Sequence, residues 1–281
     1  MNRAPSNIDH ATVSGFGEEW SSFTQEELDP VERQLLFDQY FSVFPFDELA
    51  SDAEGFDLGC GSGRWAALVA PRVGRLHCID PAAKALAVAR RRLRAASNVV
   101  FHEAGVDDIP LPDNSQDFGY SLGVLHHVPD THAAMAACVR KLKPGAPFLA
   151  YIYYAFDNRP AWFRAFWRAS ELGRAAISRL PFPARKAVTT IVAAGVYWPF
   201  ARTASVLENA GADVSNLPLS EYRYRGFYSM RTDALDRFGT RLEQRFSRSE
   251  IEAMMQGCGL SDVRFREGPP FWVACGIKAS E

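Results

Sequence analysis

No stretch of this chain approaches the roughly 20 consecutive apolar residues that a bilayer-spanning helix needs. The opening segment, Met1 to Gly17, lacks the apolar core of a signal peptide. Cysteine is scarce and unpaired: Cys60, Cys78, Cys138, Cys258 and Cys275 lie far apart, with no C-x-x-C pair among them. That spacing speaks against a disulfide framework and against a zinc knuckle. The five read as buried thiols of a reduced compartment, so a cytoplasmic protein without a bound metal is expected. An excess of one charge is missing too, with 31 basic residues against 33 acidic and a net charge of −2. Nothing in that balance favours nucleic acid as a partner. Internal repeats and low-complexity tracts are absent. What is there is ordinary globular composition, 47% hydrophobic and 23% charged over 281 residues. One large domain, or one domain with an embellishment, fits that length.

The pattern along the chain comes in three parts. Residues 1–15 are polar and expected to be loose. From Phe16 to Leu49 the pattern turns helical and aromatic, and Asp29-Pro30 offers an N-cap followed by proline at the first helical position. Strands and helices then alternate. Strands are expected at 55–58, 75–79, 99–103, 118–122 and 148–154, with helices at 66–70, 82–96 and 131–142 between them. Such alternation means βαβ units and a mostly parallel, doubly wound sheet. After Tyr154 the rhythm breaks into a helical stretch over about 157–240. A helix at 249–256 closed by Gly257, then strands at 263–266 and 271–277, resume it. The expected architecture is therefore a seven-stranded α/β sheet (51–156 and 241–281) with an N-terminal helical lid (1–50) and a helical insert (157–240) before the last two strands.

The most informative stretch is Asp57-Leu58-Gly59-Cys60-Gly61-Ser62-Gly63, between the first strand and the first helix of the sheet. Glycines there let the backbone turn tightly and admit a ligand closely. A dinucleotide fingerprint, G-x-G-x-x-G, would need its third glycine at Arg64. Instead the spacing is D-x-G-x-G-x-G, and an acid, Asp80, ends the second strand seventeen residues after Gly63. A carboxylate at that place can accept both ribose hydroxyls of a nucleoside held over the turn.

These residues resemble motif I of the class I S-adenosylmethionine-dependent methyltransferases, a Rossmann-like family. Residues Val106 to Phe118 are similar to the family's D-x-LP-F-x-D-x-SFD segment. Leu125-His126-His127-Val128 matches its LHHV signature, and Leu142-Lys143-Pro144-Gly145 its LKPGG turn. The resemblance covers residues 55–154 closely and 246–278 in pattern. It implies S-adenosyl-L-methionine as cofactor. Asp57 would lie near the methionine amino group, and Gly59, Cys60, Gly61 and Gly63 under the methionyl and ribose parts. Asp80 would meet the ribose, Val106 the adenine ring through its amide, and Gly123 the methionine portion. Many relatives carry an acid just before Val106; here that place holds Gly105, and Asp107 is the nearest substitute.

The resemblance also implies an enzyme, a transferase delivering a methyl group. A sulfonium methyl is already activated, so the protein must exclude water, align the acceptor and, where needed, take a proton. Rings near the sulfonium help by cation–π attraction, and Trp20, Phe23, Tyr40, Trp65, Tyr153 and Tyr154 are candidates. Phe23 and Trp65 read as core, Trp20 as part of a mobile lid. His126 and His127 sit just past the fourth strand, where ligands bind in open α/β sheets, and an imidazole is a suitable base near neutral pH. His126 is the better candidate for that role; a turn-capping role is the alternative for both. His102, inside the third strand, reads as a packed histidine.

The insert carries the remaining information. Eight basic residues stand against two acids between Asp157 and Arg202, interleaved with Trp162, Phe163, Phe166 and Trp167. That composition suits either peripheral membrane contact or a cover for a partly apolar, anionic substrate; a lid with solvated arginines is the plain alternative. Residues 221–228 add Tyr222 and Arg223 as candidate contacts for a carboxylate, phosphate or sugar. The acceptor expected from all this is a small, partly apolar metabolite, with the accepting atom open and the insert as its wall. A lipid-linked or membrane-surface substrate, or a cofactor-binding homologue without turnover, are the alternatives. Nucleic-acid methylation would want an N/D-P-P-Y/F motif where Leu122-Gly123-Val124-Leu125 stands.

Overall fold

The computed structural model describes residues 6–280. In chain order the elements are α1 (His10–Ser22), α2 (Pro30–Tyr40), β1 (Glu54–Leu58), α3 (Ala66–Val69), β2 (Arg75–Asp80), α4 (Ala83–Arg92), β3 (Val99–Glu103), β4 (Phe118–Leu122), α5 (Thr131–Lys141) and β5 (Pro147–Tyr151). Four helices follow: α6 (Ala161–Ile177), α7 (Phe182–Val192), α8 (Trp198–Asn209) and α9 (Phe227–Gly239). Then come α10 (Arg248–Gly257), β6 (Leu260–Phe265) and β7 (Val273–Lys278). The chain divides into two compact units, residues 6–24, 36–155 and 242–280 in one, and 25–35 with 156–241 in the other.

The first unit is a seven-stranded sheet in the order β3-β2-β1-β4-β5-β7-β6. The strands through β5 pair in parallel, while β7 runs antiparallel between β5 and β6. The order reverses between β1 and β4, and that is where an open α/β sheet leaves a crevice at the carboxyl ends of its strands. The strands form where the sequence alternates βαβ, because strands covered by helices become almost wholly apolar; Phe56, Leu76, Phe118, Tyr120, Phe148 and Leu149 are all buried. Helix starts follow the capping residues. Asp9 accepts from the Thr12 amide at 2.7 Å, Asp130 from Ala133 at 2.9 Å, and Ser247 and Glu250 form a reciprocal capping box.

Two expectations about the amino terminus need correction. Residues 6–15 are not loose: Asn7 is clamped on Asp130 (Asn7 Nδ2 to Asp130 O 2.8 Å, Asp130 N to Asn7 Oδ1 2.6 Å), and α1 begins at His10. Nor is the aromatic stretch before β1 a detachable cover. Leu36, Phe37, Phe41 and Phe44 lie in the main core with Trp65, Phe118 and Tyr120, so they are among the residues that make the sheet fold. At the carboxyl end, Gly259 (φ +88°), not Gly257, makes the left-handed turn after α10.

The second unit is helical. Ala193, Ala201, Met230 and Ala234 form its small core with Tyr197, and α6, α7 and the turn 193–197 pack against α9. A π-helical turn, Ala193–Tyr197, sits just before Pro199, where a missing N–H interrupts the ladder. Residues 25–35 belong here because Glu32 caps the start of α9, accepting from the Gly226 amide at 3.1 Å and the Ser229 hydroxyl at 2.6 Å. Asp29 caps α2 as its sequence implied, accepting from Val31 and Glu32.

Candidate functional site

At the carboxyl end of β1 the chain turns through Gly59, Gly61 and Gly63, all with positive φ (76°, 53° and 72°). The need for glycine is steric as well as conformational. A Cβ on Gly59 would stand 2.3 Å from the Val124 side chain, and one on Gly61 would stand 3.0 Å from the Trp20 indole nitrogen. The loop is tied to β2: Gly59 N donates to Ile79 O at 2.7 Å, and Gly61 N to Asp80 Oδ2 at 2.9 Å. Asp80 Oδ1 accepts from Ala82 N at 2.8 Å. Asp80 therefore shapes the loop, and it also presents a buried carboxylate at the switch point. Burial pushes its pKa up to about 6, against the opposing pull of those two amides.

Asp57 is the group whose chemistry is least satisfied. It ends β1 beside Tyr120, its register partner on β4. Its Oδ2 is buried without a hydrogen-bond partner. Burial drives its pKa up to about 8; the Tyr120 hydroxyl offsets part of that rise and the Asp80 charge adds to it. A buried carboxyl without a partner is costly unless a cation completes it. Just past the end of β4, Gly123 has φ +78°, and a Cβ there would meet nothing within 4 Å. The residues present thus fit a ligand that joins an ammonium to a ribose. Asp57 has the free acceptor for the first, Asp80 the strand-end carboxylate for the second, and the backbone at Gly59–Gly63 and Gly123 lets the body of the ligand come close.

The adenine-side residues are assembled differently from the sequence expectation. Val106 is buried in a short 3₁₀ turn, Val106–Asp108. Asp107, expected to meet the adenine ring, uses Oδ2 to accept from the Asn7 amide at 2.7 Å and the Ser6 hydroxyl at 3.1 Å. A Cβ on Gly105 would stand 2.5 Å from the tip of the Ile8 side chain, which would have to move aside. Sequence reasoning missed this role of Ser6–Ile8, since nothing in a polar amino terminus signals a distant partner. Trp20, over Gly61, is half-buried; Phe23 and Trp65 are core, as read. Cys60 is buried, and burial beside Cys78 holds its thiol well above the ordinary range.

His126 and His127 sit in a 3₁₀ turn after β4, both buried. The His126 ring stacks on Tyr153 at 3.9 Å and 29°, with His127 4.0 Å away. Neither ring nitrogen of His126 has a hydrogen-bond partner. Burial, then the nearby His127 and Arg245, hold its pKa well below the ordinary imidazole value, so it is neutral. His127 Nδ1 bonds to Leu242 O at 2.7 Å and its ring meets Phe16. His102 bonds to His77 at 2.9 Å, which bonds on to Glu54 at 2.8 Å. Tyr222 and Arg223 lie in the second unit. Tyr222 packs on Tyr197, and Arg223 pairs with Glu208 through two nitrogens (2.7 and 3.0 Å). The groups expected to meet a ligand are thus engaged within that unit. Among the described residues no cluster of His, Cys, Asp and Glu could hold a metal ion, and no helix is long and apolar enough to cross a membrane.

Strand order, glycine loop and strand-end acids are those of a Rossmann-like methyltransferase fold. Residues 56–150 match the family described as methyltransferase domain. Similar curated proteins include a demethylmenaquinone methyltransferase of Listeria welshimeri, 31% identical over 121 residues, 40% of this chain and 50% of the relative. A ubiquinone biosynthesis O-methyltransferase of Thiobacillus denitrificans is 33% identical over 107 residues, 37% of this chain and 44% of the relative. The chain thus spans about half the length of the curated relatives it matches. Among solved structures, an Aquifex aeolicus SAM-dependent methyltransferase superposes with a TM-score of 0.50 at 15% identity, covering 92% of this chain and 96% of that one. A Methanosarcina mazei methyltransferase gives 0.50 at 19%, covering 84% and 96%. At such identities the likeness is one of fold.

Proposed function

We propose that this protein transfers a methyl group from S-adenosyl-L-methionine to a small, partly apolar metabolite. The observation that carries the reading is the buried Asp57 carboxyl beside Tyr120, with its Oδ2 left for a ligand, next to the Asp80-bound glycine loop. Asp57 would hold the amino group of the methionine portion, Asp80 the ribose, and Val106 with Gly105 the adenine edge. When bound, the cofactor supplies an electrophilic methyl. The protein's own tasks are to exclude water, align the acceptor and accept a proton if the acceptor loses one. For that last task we assign His126, a neutral imidazole with unengaged nitrogens; the burial that now disfavours its charged form must be relieved before it can take a proton. Its full burial requires Tyr153, which is partly exposed, to shift before an acceptor can reach it. The curated relatives named for quinone chemistry support an apolar, ring-bearing acceptor.

Titration calorimetry with S-adenosylmethionine and with its demethylated product tests the site. Asp57→Asn and Asp80→Asn should each weaken binding by about tenfold or more, a lost charge-assisted hydrogen bond costing about 1.5–3 kcal/mol. Wild-type affinity in both variants would remove the assignment. Transfer is tested separately, by screening labelled methyl incorporation over quinones, phenols and fatty acids. Binding without incorporation in any class would leave a cofactor-binding protein rather than an enzyme. In an active pairing, His126→Phe should lower kcat by about 10²-fold if the ring acts as base; a change below threefold would make it a packing residue.

A further inference from the structure

Helix α6 is apolar on two sides. Its inward side packs Phe163 and Trp167 against Phe156, and Glu171 there pairs with Arg174 at 2.7 Å and with Arg237, whose guanidinium lies 3.7 Å from the Trp167 ring. Its outward side is apolar. Trp162, Ala165, Phe166, Ala169, Leu172 and Ala176 recur at three- and four-residue spacing, which puts them in one stripe along the helix, and all are exposed. Trp162 is 54%, Phe166 55% and Leu172 80% accessible. The next helices continue the pattern. From Ala187 to Ala201 no residue is charged, and Ile191, Val196, Trp198 and Phe200 are exposed there. A helix face seldom carries this many exposed apolar side chains in one stripe without something to cover it.

The charge around these residues says what covers them. Between Asn158 and Leu207 there are eight basic residues and one acid. That acid, Glu171, is neutralised by the two arginines on the inward side. Arg164 and Arg168 are exposed beside the apolar stripe, and Arg179 is exposed where α6 ends. The rest of the chain is correspondingly acidic, since the whole carries −2. A second copy of this face would set the same arginines against one another, so self-pairing is disfavoured. Aromatic side chains flanked by arginines match the headgroup region of an anionic bilayer, where apolar side chains enter the acyl boundary and guanidinium groups stay among phosphates.

We infer that the outward face of α6 docks the protein on anionic lipid membranes, lying in the plane of the interface. This goes beyond the methyl-transfer reading and does not depend on it.

Flotation of the full chain with vesicles tests it. Wild type should float with vesicles of phosphatidylcholine containing 30% phosphatidylglycerol, and at least tenfold less with phosphatidylcholine alone or in 0.5 M salt. Two double variants, Trp162→Ser with Phe166→Ser and Arg164→Glu with Arg168→Glu, should each lose at least tenfold in partitioning while keeping wild-type melting and cofactor affinity. Failure of wild type to float, equal flotation on both vesicle types, or unimpaired variants would each overturn the inference. So would light scattering showing a stable dimer that Trp162→Ser with Phe166→Ser dissociates. Should a variant fail to fold, the lipid-composition and salt arms on wild type decide alone. Cofactor titration on the same samples keeps failure of docking distinct from failure of the methyltransferase site.

Discussion

Asp57 couples ligand binding to protons. In the ligand-free protein its pKa is about 8 because burial opposes the charged form, so at pH 7 the carboxyl is mostly protonated. Holding an ammonium requires the carboxylate. Binding should therefore release close to one proton at pH 7, and affinity should rise as pH is raised toward 8. Calorimetry in buffers of different ionisation enthalpy measures that release directly; a buffer-independent heat would contradict it. The same shift has a stability consequence of opposite benefit. The folded-state pKa lies above the unfolded one, so the contribution of this group is fully present below about pH 4 and is lost as pH rises toward 8. Asp57→Asn, which does not titrate, should melt several degrees above wild type at pH 8.5, at roughly 2–4 °C per kcal/mol. The gap should close near pH 4. Gly59 offers a steric counterpart. Gly59→Ala combines a positive φ with a Cβ 2.3 Å from Val124, and it should cost more than about 2 kcal/mol or abolish cofactor binding. A chemical-denaturation midpoint equal to wild type would argue that the loop relaxes freely.

The amino-terminal elements have two separable roles. Phe37, Phe41 and Phe44 belong to the core under the sheet, whereas Ser6, Asn7 and Trp20 touch the loops that the ligand would use. Removing residues 1–45 should therefore yield an unfolded or aggregated chain, because three large buried aromatics leave the core at about 3–5 kcal/mol each. Asn7→Ala and Trp20→Ala should instead melt close to wild type and lose cofactor affinity, by about five- to twentyfold, as the contacts at Asp130 and Gly61 disappear. A well-folded truncation in circular dichroism, or unchanged affinity in both point variants, would reverse this division of labour.

At the scale of the molecule, a ligand held by the first unit stabilises it by mass action. Demethylated cofactor at about 100 times its Kd should add about 2.7 kcal/mol. The melting temperature should rise by several degrees, and NAD or ATP should leave it unchanged, since neither carries an α-amino acid for Asp57. Equal shifts with all three nucleotides would point to a generic nucleotide site.

The strands, the glycine loop and Asp80 were legible in the sequence because their causes are local. Alternating βαβ segments, glycine at positions of positive φ and an acid at a strand end each follow from a few neighbouring residues. The Asp29 cap is local in the same way. What the tertiary structure alone decided depends on partners far apart in the chain. Asn7 and Asp107 meet across 100 residues, which ties a polar amino terminus to the loop at 105–108. Glu32 caps α9 across 197 residues, drawing 25–35 into the helical unit. Arg223, which from composition could face a ligand, meets Glu208 instead. The direction of α6 is the clearest case: its periodicity shows an amphipathic helix, but only packing on α9 decides which face turns outward. Periodicity records that two faces differ, whereas burial is a property of the neighbours each face finds.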